Sequence, residues 1–124
     1  MRIKYLGLLS KRRLSHLYTK ADVFLNPRPT NLNWIDNNFP SKLFDYLAYD
    51  KPIISTWTKS LEPEYTKILN IVKNNPRSLA SAMIKFIDIK KKELYSPHKH
   101  WLRNKNWSSQ AEKLIIFLKK INKT

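Results

Sequence analysis

The sequence predicts an α/β fold, with a parallel sheet of about four strands and helices on its flanks. Short apolar runs typical of buried strands alternate with longer stretches in which apolar residues recur every three or four positions. The 124 residues suffice for one domain or for part of a larger one. Because parallel strands need crossover connections, the alternation indicates βαβ units in a partial Rossmann-like sheet.

Strands are predicted at residues 3–6, 22–26, 52–56 and 68–72. The first alternates apolar and polar side chains and ends at Gly7. The next two are apolar runs with a proline at one end, which is typical of buried strands. Between them, residues 27–39 are rich in proline and asparagine and lack periodicity, so we expect a long loop there.

Helices are predicted at residues 10–20, at residues 40–49, from Pro76 onward and from Ser108 or Ser109 onward. Ser10 is a favoured cap residue, and proline is well tolerated in a first helical turn. Residues 109–112 have the spacing of a capping box. We expect Trp101 and Trp107 to pack the last helix, whose apolar face is formed by five residues: Ala111, Leu114, Ile115, Leu118 and Ile121.

The composition excludes several kinds of site. The absence of cysteine excludes thiolate metal sites, disulfides and cysteine nucleophiles. A single glycine excludes the glycine-rich phosphate loops, which need several glycines at fixed spacing. His98 and His100 have no accompanying carboxylate cluster, so we expect neither a metal site nor a permanently bound cofactor. No apolar run approaches the roughly 18 residues that a membrane span requires, and no signal peptide is expected.

The formal charge of +15 calls for an anionic partner. Nucleic acid, an anionic membrane surface and a phosphorylated small molecule all qualify. Basic residues and aromatics such as Phe86, Tyr95 and Trp101 are interleaved from residue 85 to the end, as in nucleic-acid patches. However, the sequence contains no helix-turn-helix, zinc-finger or RNP-type motif, and a solvated lysine-rich face is an equally simple interpretation.

The beginning of the helix at Pro40 is a candidate phosphate site. In open α/β sheets, ligands bind beyond the carboxyl ends of the strands, close to helix N-termini. Ser41 supplies a hydroxyl and Lys42 a positive charge, while Asp45 lies one turn further on the same face. A carboxylate there could accept hydrogen bonds from a diol such as ribose. The alternative is an ordinary amphipathic helix with a surface Lys–Asp pair.

A family resemblance is carried by two adjacent segments of the chain. They are residues 39–48, FPSKLFDYLA, and residues 51–56, KPIIST. They resemble the donor-site helix and the next strand of retaining glycosyltransferases with the two-Rossmann-domain (GT-B) fold. These family 4-like enzymes build bacterial capsule, lipopolysaccharide and other surface glycans. Residues 5–28 resemble the preceding strand–helix–strand unit, and residues 107–118 resemble the closing helix. The similarity spans most of residues 3–121, and its central stretch is the specific part.

This resemblance implies that the diphosphate of a nucleotide sugar lies at the residues beginning the helix, namely Phe39, Pro40, Ser41 and Lys42. In the family an acidic pair at fixed spacing holds the donor, and its two positions fall here on Asn37 and Asp45. The resemblance assigns the ribose hydroxyls to Asp45, and Arg28 is expected near the phosphates or the sugar. The acceptor would be a surface glycan or a lipid-linked sugar.

The resemblance further implies that residues 1–124 are a partial C-terminal donor-binding domain. They lack the first two βα units and the acceptor-binding domain of a GT-B enzyme, and residues 107–121 form the closing helix. We therefore expect the chain to be inactive alone, and to act in the cytoplasm or at the inner face of a bacterial membrane. The alternatives are a basic nucleic-acid-binding module and a gene remnant without a function of its own.

Overall fold

The computed structural model of the chain describes residues 3–88, 103 and 105–122. Two short 3₁₀ helices, Asn33–Ile35 and Pro63–Lys67, lie in the connections. The longer elements are, in chain order, α1 (Lys11–Lys20), β1 (Phe24–Asn26), α2 (Lys42–Leu47), β2 (Ile53–Thr56), β3 (Asn70–Val72), α3 (Pro76–Asp88) and α4 (Trp107–Ile121). The predicted alternation of strands and helices is therefore confirmed, with shorter elements than the sequence indicates.

Within these described ranges, three parallel strands form the sheet, in the order β1-β2-β3. Phe24 is opposite Ile53 in the register of β1 and β2, and Ile54 is opposite Asn70 in that of β2 and β3. β2 is the central strand, and all four of its residues are buried. An apolar run without alternation is typical of such a strand, because both of its faces are covered.

The strand predicted at residues 3–6 does not form. Ile3 is 89% exposed and Tyr5 is 93% exposed, so this segment contributes no side chain to the core. A strand needs a neighbour to satisfy its backbone hydrogen-bonding groups. Since no described strand pairs with residues 3–6, their alternating pattern alone cannot hold them in a sheet.

The core lies between the sheet and the helices that cross it. Its fully buried members include Leu43 and Leu47 of α2 and Ile53 of β2. An aromatic group extends this core toward α1. The Phe24 ring stacks on Tyr46 with centroids 4.4 Å apart, and Tyr18 of α1 meets Phe24 edge-on at 5.2 Å. These ring contacts position α1 and α2 beside β1.

The helix ends are held by side-chain caps. The predicted cap of α1 is confirmed, because Ser10 Oγ accepts a hydrogen bond from the backbone N–H of Arg13. The predicted start of the last helix is wrong by one or two residues. Asn106 caps α4 by accepting from the backbone N–H of Ser109 at 2.8 Å, so Ser109 lies inside the helix and no capping box begins there.

The prediction that Trp107 packs the last helix is also wrong, and Trp101 lies outside the described residues. No side chain of α4 is buried, and Trp107 is 91% exposed. Just before the helix, Lys105 Nζ contacts Glu62 at 3.0 Å and Glu64 at 3.2 Å. The hydrogen bond to Glu62 is the main reason that the pKa of Lys105 is raised. The chain is thus attached to the domain at Lys105, and α4 extends beyond it.

Several predictions fall outside the described residues. They include the irregular basic stretch between α3 and Arg103, with its aromatic residues Tyr95 and Trp101 and its histidines His98 and His100.

Burial raises the pKa of Tyr65 to about 12 from its ordinary value of 10.0, and the nearby Glu62 adds to the shift. The neutral phenol is therefore favoured in the folded state. Its contribution to stability is fully present below about pH 10 and is lost as the pH rises toward 12. We expect the free energy of unfolding to fall by about 2 to 3 kcal/mol more across this window in the native chain than in Tyr65→Phe.

Denaturant unfolding of both chains from about pH 9 to about pH 12 tests this expectation. The lysines titrate in both chains, so their effects cancel in the difference. Parallel pH profiles for the two chains would show that Tyr65 has no raised pKa.

Candidate functional site

The carboxyl ends of β1 and β2 lie side by side, where Asn26 is opposite Ser55. The Asn26 side-chain amide donates a hydrogen bond from Nδ2 to Ser55 Oγ at 2.9 Å. Ser55 is fully buried, and its hydroxyl lies 2.9 Å from the carbonyl oxygen of Thr56, to which it donates. A hydroxyl buried at the end of a strand is tolerated because such partners replace water.

Thr56 fixes the backbone that follows β1. Its Oγ1 accepts a hydrogen bond from the backbone N–H of Arg28 at 2.8 Å and donates one to the carbonyl oxygen of Arg28 at 2.7 Å. Thr56 is only 3% exposed, so these two bonds are shielded from water. One hydroxyl therefore satisfies both backbone groups of Arg28 and holds that residue at the rim of the sheet.

The Arg28 side chain then spans the loop between β1 and α2. Its Nη1 donates a hydrogen bond to the carbonyl oxygen of Asn38 at 2.7 Å. A bond from a charged donor is stronger than one between neutral groups. The bond connects the end of β1 to the residues just before α2, although residues 28 and 38 are separated by a long loop.

These contacts border an open cavity of about 210 Å³ at the rim. It is lined by Asn26 and Arg28 from the end of β1 and by residues 38–42, which approach and begin α2. Arg28 and Lys42 bring two positive charges, Ser41 brings a hydroxyl, and none of the described residues in the lining is acidic. Such a set of groups suits an anion with several oxygen atoms.

The positive character of the cavity comes mainly from side chains. α2 comprises only six residues, and Ser41 makes no side-chain cap hydrogen bond. Its first turn is closed by short-range bonds, from the N–H of Leu43 to the carbonyl oxygen of Pro40 and from the N–H of Phe44 to that of Ser41. A macrodipole sums over aligned peptides, so a helix this short adds little to the charges of Arg28 and Lys42.

The structure brings five of the predicted site residues together around this cavity: Arg28, Phe39, Pro40, Ser41 and Lys42. Asn37 and Asp45 are not in the lining, and both are exposed. Burial raises the pKa of Tyr18 and of Tyr46, and the Asp45 carboxylate adds to both shifts. The Asp45 carboxylate thus acts electrostatically on Tyr18 and Tyr46, and it does not line the cavity.

Two lining residues were not among the predicted site residues. Asn26 is the last residue of β1, and the Asn-Pro pair that ends this strand was interpreted only as a strand terminus. Asn38 contributes its backbone carbonyl, which accepts the hydrogen bond from Arg28. Every residue has such a carbonyl, so the amino-acid sequence does not indicate this role. Asp36, next to Asn37, forms an ion pair with Lys59 at 3.0 Å and so connects the loop to the segment after β2.

No group of histidine, cysteine, aspartate or glutamate side chains able to hold a metal ion occurs within residues 3–88, 103 and 105–122. In the same part of the chain, none of the helices is both long and apolar enough to cross a bilayer. Comparison of the chain with models of protein families, with curated proteins and with solved structures finds no match.

The Thr56 hydroxyl can be tested with the nearly isosteric Thr56→Val. This substitution leaves the partly buried N–H and carbonyl of Arg28 without the Thr56 hydroxyl, so we expect the free energy of unfolding to fall by about 1 to 3 kcal/mol. Thr66→Val is the matched control, because the exposed Thr66 hydroxyl donates to the carbonyl of Pro63 in contact with water. Chemical denaturation of both variants measures the difference, and equal losses would contradict the role given to Thr56.

Proposed function

We propose that the rim cavity binds the diphosphate of a nucleotide sugar, and that the chain is the donor-binding part of a retaining glycosyltransferase with the GT-B fold. The observation that carries the proposal is the convergence of Arg28, Ser41 and Lys42 on one cavity whose described lining contains no acidic residue. A diphosphate presents the several negatively charged oxygens that these groups can bind. The resemblance of residues 39–56 to the family supports the same ligand.

The position of the cavity supports this proposal independently of any family. Ligands of parallel α/β sheets bind outside the carboxyl ends of the strands, and this cavity lies between the end of β1 and the beginning of α2. The loop on one side is fixed by Thr56, and the loop on the other is fixed through Arg28 and Asn38. Because these groups are already ordered, binding a ligand there costs little additional conformational entropy.

The size of the cavity suits part of the donor rather than the whole molecule. Its volume of about 210 Å³ is below the roughly 300 to 1,000 Å³ that encloses drug-sized ligands. The diphosphate would occupy the cavity, while the nucleoside and the sugar extend along the rim on either side. Asp45 follows Ser41 and Lys42 by about one helical turn and lies outside the cavity lining, from where it would meet a ribose extending along the rim.

Binding at this site would also assist the transfer step. When the bond between the sugar and the diphosphate breaks, negative charge develops on the leaving oxygen. The guanidinium of Arg28 and the ammonium of Lys42 would be in place to stabilise this charge before the reaction begins. The acceptor, a surface glycan or a lipid-linked sugar, would approach from the side of the sugar, and turnover requires a second region that binds it.

The proposal predicts that a nucleoside diphosphate binds the chain and that Lys42→Ala weakens this binding. Loss of one charge-assisted contact should raise the dissociation constant by about 10- to 100-fold. Lys20→Ala is the matched control: it removes the same charge from the last turn of α1, just before β1 begins and away from the cavity. We expect less than a twofold change there. Calorimetric titration with uridine, guanosine, adenosine and cytidine diphosphates measures the effect.

The same titration separates this function from the nucleic-acid alternative. Binding to nucleic acid would depend on the total charge, so Lys42→Ala and Lys20→Ala would weaken binding to an unrelated DNA duplex equally, with a steep dependence on salt. Equal effects of the two substitutions on nucleotide binding, or no binding of any of the four nucleotides by the folded chain, would contradict the donor site.

Asp45→Asn should reduce the binding of nucleoside diphosphates without changing the binding of inorganic pyrophosphate.

A further inference from the structure

The outer surface of α4 carries a continuous apolar band. Its side chains from Leu114 to Leu118 are all between 49% and 58% exposed. With about 100° of rotation per residue, most of the apolar residues of α4 fall within an arc of roughly 160°. We refer to these residues as the α4 apolar face, and they are Trp107, Ala111, Leu114, Ile115, Phe117, Leu118 and Ile121.

The opposite side of α4 is basic. Lys113 and Lys119 lie at the two borders of the apolar face, and Lys120 lies between them on the polar side. Glu112 is the only acidic residue in the helix. Ile116 is the exception to the segregation, because it points to the polar side and is 55% exposed.

The contacts between the domain and the helix segment include those of Lys105, just before α4 begins. Lys105 forms ion pairs with Glu62 and Glu64, and Asn106 caps the first turn. Beyond Gln110, every described residue of α4 is exposed, so its apolar side chains do not contribute to the core. The apolar face is therefore exposed on a helix whose first turn is capped by Asn106.

We propose that the α4 apolar face docks on an anionic lipid bilayer, with the helix lying in the plane of the membrane surface. An apolar stripe bordered by lysines, with a tryptophan at one end, is the pattern of helices that lie at the lipid headgroups. Fifteen residues are too few to cross a bilayer, whereas they suffice to lie on one. The excess of 24 basic over 9 acidic residues in the chain adds attraction to negatively charged lipids.

The same charge disfavours the other simple occupant, a second copy of this chain. Pairing two copies through α4 would bring two chains of formal charge +15 together and place Lys113 and Lys119 of each close to those of the other. An anionic bilayer turns this charge into an attraction. A lipid bilayer and a second copy of the chain would both cover the apolar face. Charge complementarity favours the lipid bilayer of the two.

The experiment is flotation of the full chain with vesicles of phosphatidylcholine containing about one third phosphatidylglycerol. We expect the double variant Leu114→Gln, Leu118→Gln to lower the partition coefficient by at least about tenfold, because it removes apolar area from the membrane-facing side. Ile116→Gln is the matched control, since it makes the same kind of change at equal exposure on the polar side and should change partition less than twofold. Glutamine is a good helix former, and circular dichroism verifies the helix.

Two results would overturn the proposal. If all variants bind equally and moderate salt abolishes the binding, the vesicles attract only the general positive charge of the chain. If the native chain does not float with anionic vesicles but sediments as a dimer that Leu114→Gln, Leu118→Gln dissociates, a second copy covers the face. Weak binding to pure phosphatidylcholine vesicles, restored by phosphatidylglycerol, would support the lipid surface and the role of its charge.

Discussion

The central strand β2 is the constraint from which the rest of the structure follows. It is buried along its whole length, with β1 and β3 hydrogen-bonded to its two edges. Ile53 and Ile54 provide its apolar half, whereas Ser55 and Thr56 place hydroxyls in surroundings without water. A buried hydroxyl is costly unless it is bonded, so the adjacent backbone must come to it. This requirement, rather than apolar packing, determines the path of the chain after β1.

The site depends on the same two hydroxyls. Thr56 holds the backbone of Arg28, and the Arg28 side chain in turn holds the carbonyl of Asn38. The residues before α2 are thereby fixed from the far side of a long loop, and Ser41 and Lys42 line the same cavity as Arg28. The binding groups are arranged by contacts that are themselves buried or charge-assisted. A loop of this length would otherwise sample many conformations, at a cost in entropy on every binding event.

The sequence allowed prediction of the elements whose signal is local. The apolar runs of β1 and β2, the Ser10 cap and the beginning of α3 at Pro76 depend on neighbouring residues, and they appear where expected. Residues 3–6 carry an equally good strand pattern and form no strand, because pairing depends on a partner elsewhere in space. Arg28 could be proposed as a site residue from its place after a strand, whereas its partner Asn38 could not. Asn38 acts through its backbone carbonyl, a group that every residue has.

The failure to predict the exposure of α4 has a different origin. Helical periodicity shows that a helix has an apolar side, but not which surface covers that side.

The cavity and α4 both contain part of the excess positive charge of the chain, but they arrange it differently. At the cavity, Arg28 and Lys42 lie in one lining, and the Arg28 side chain is held by the carbonyl of Asn38. On α4 the lysines border an exposed apolar band, where attraction extends only over a Debye length of about 8 Å and is not directed at any one atom. A net charge of +15 therefore does not by itself specify a partner, since its effect depends on whether the surrounding structure fixes the charges around a cavity or distributes them along a helix.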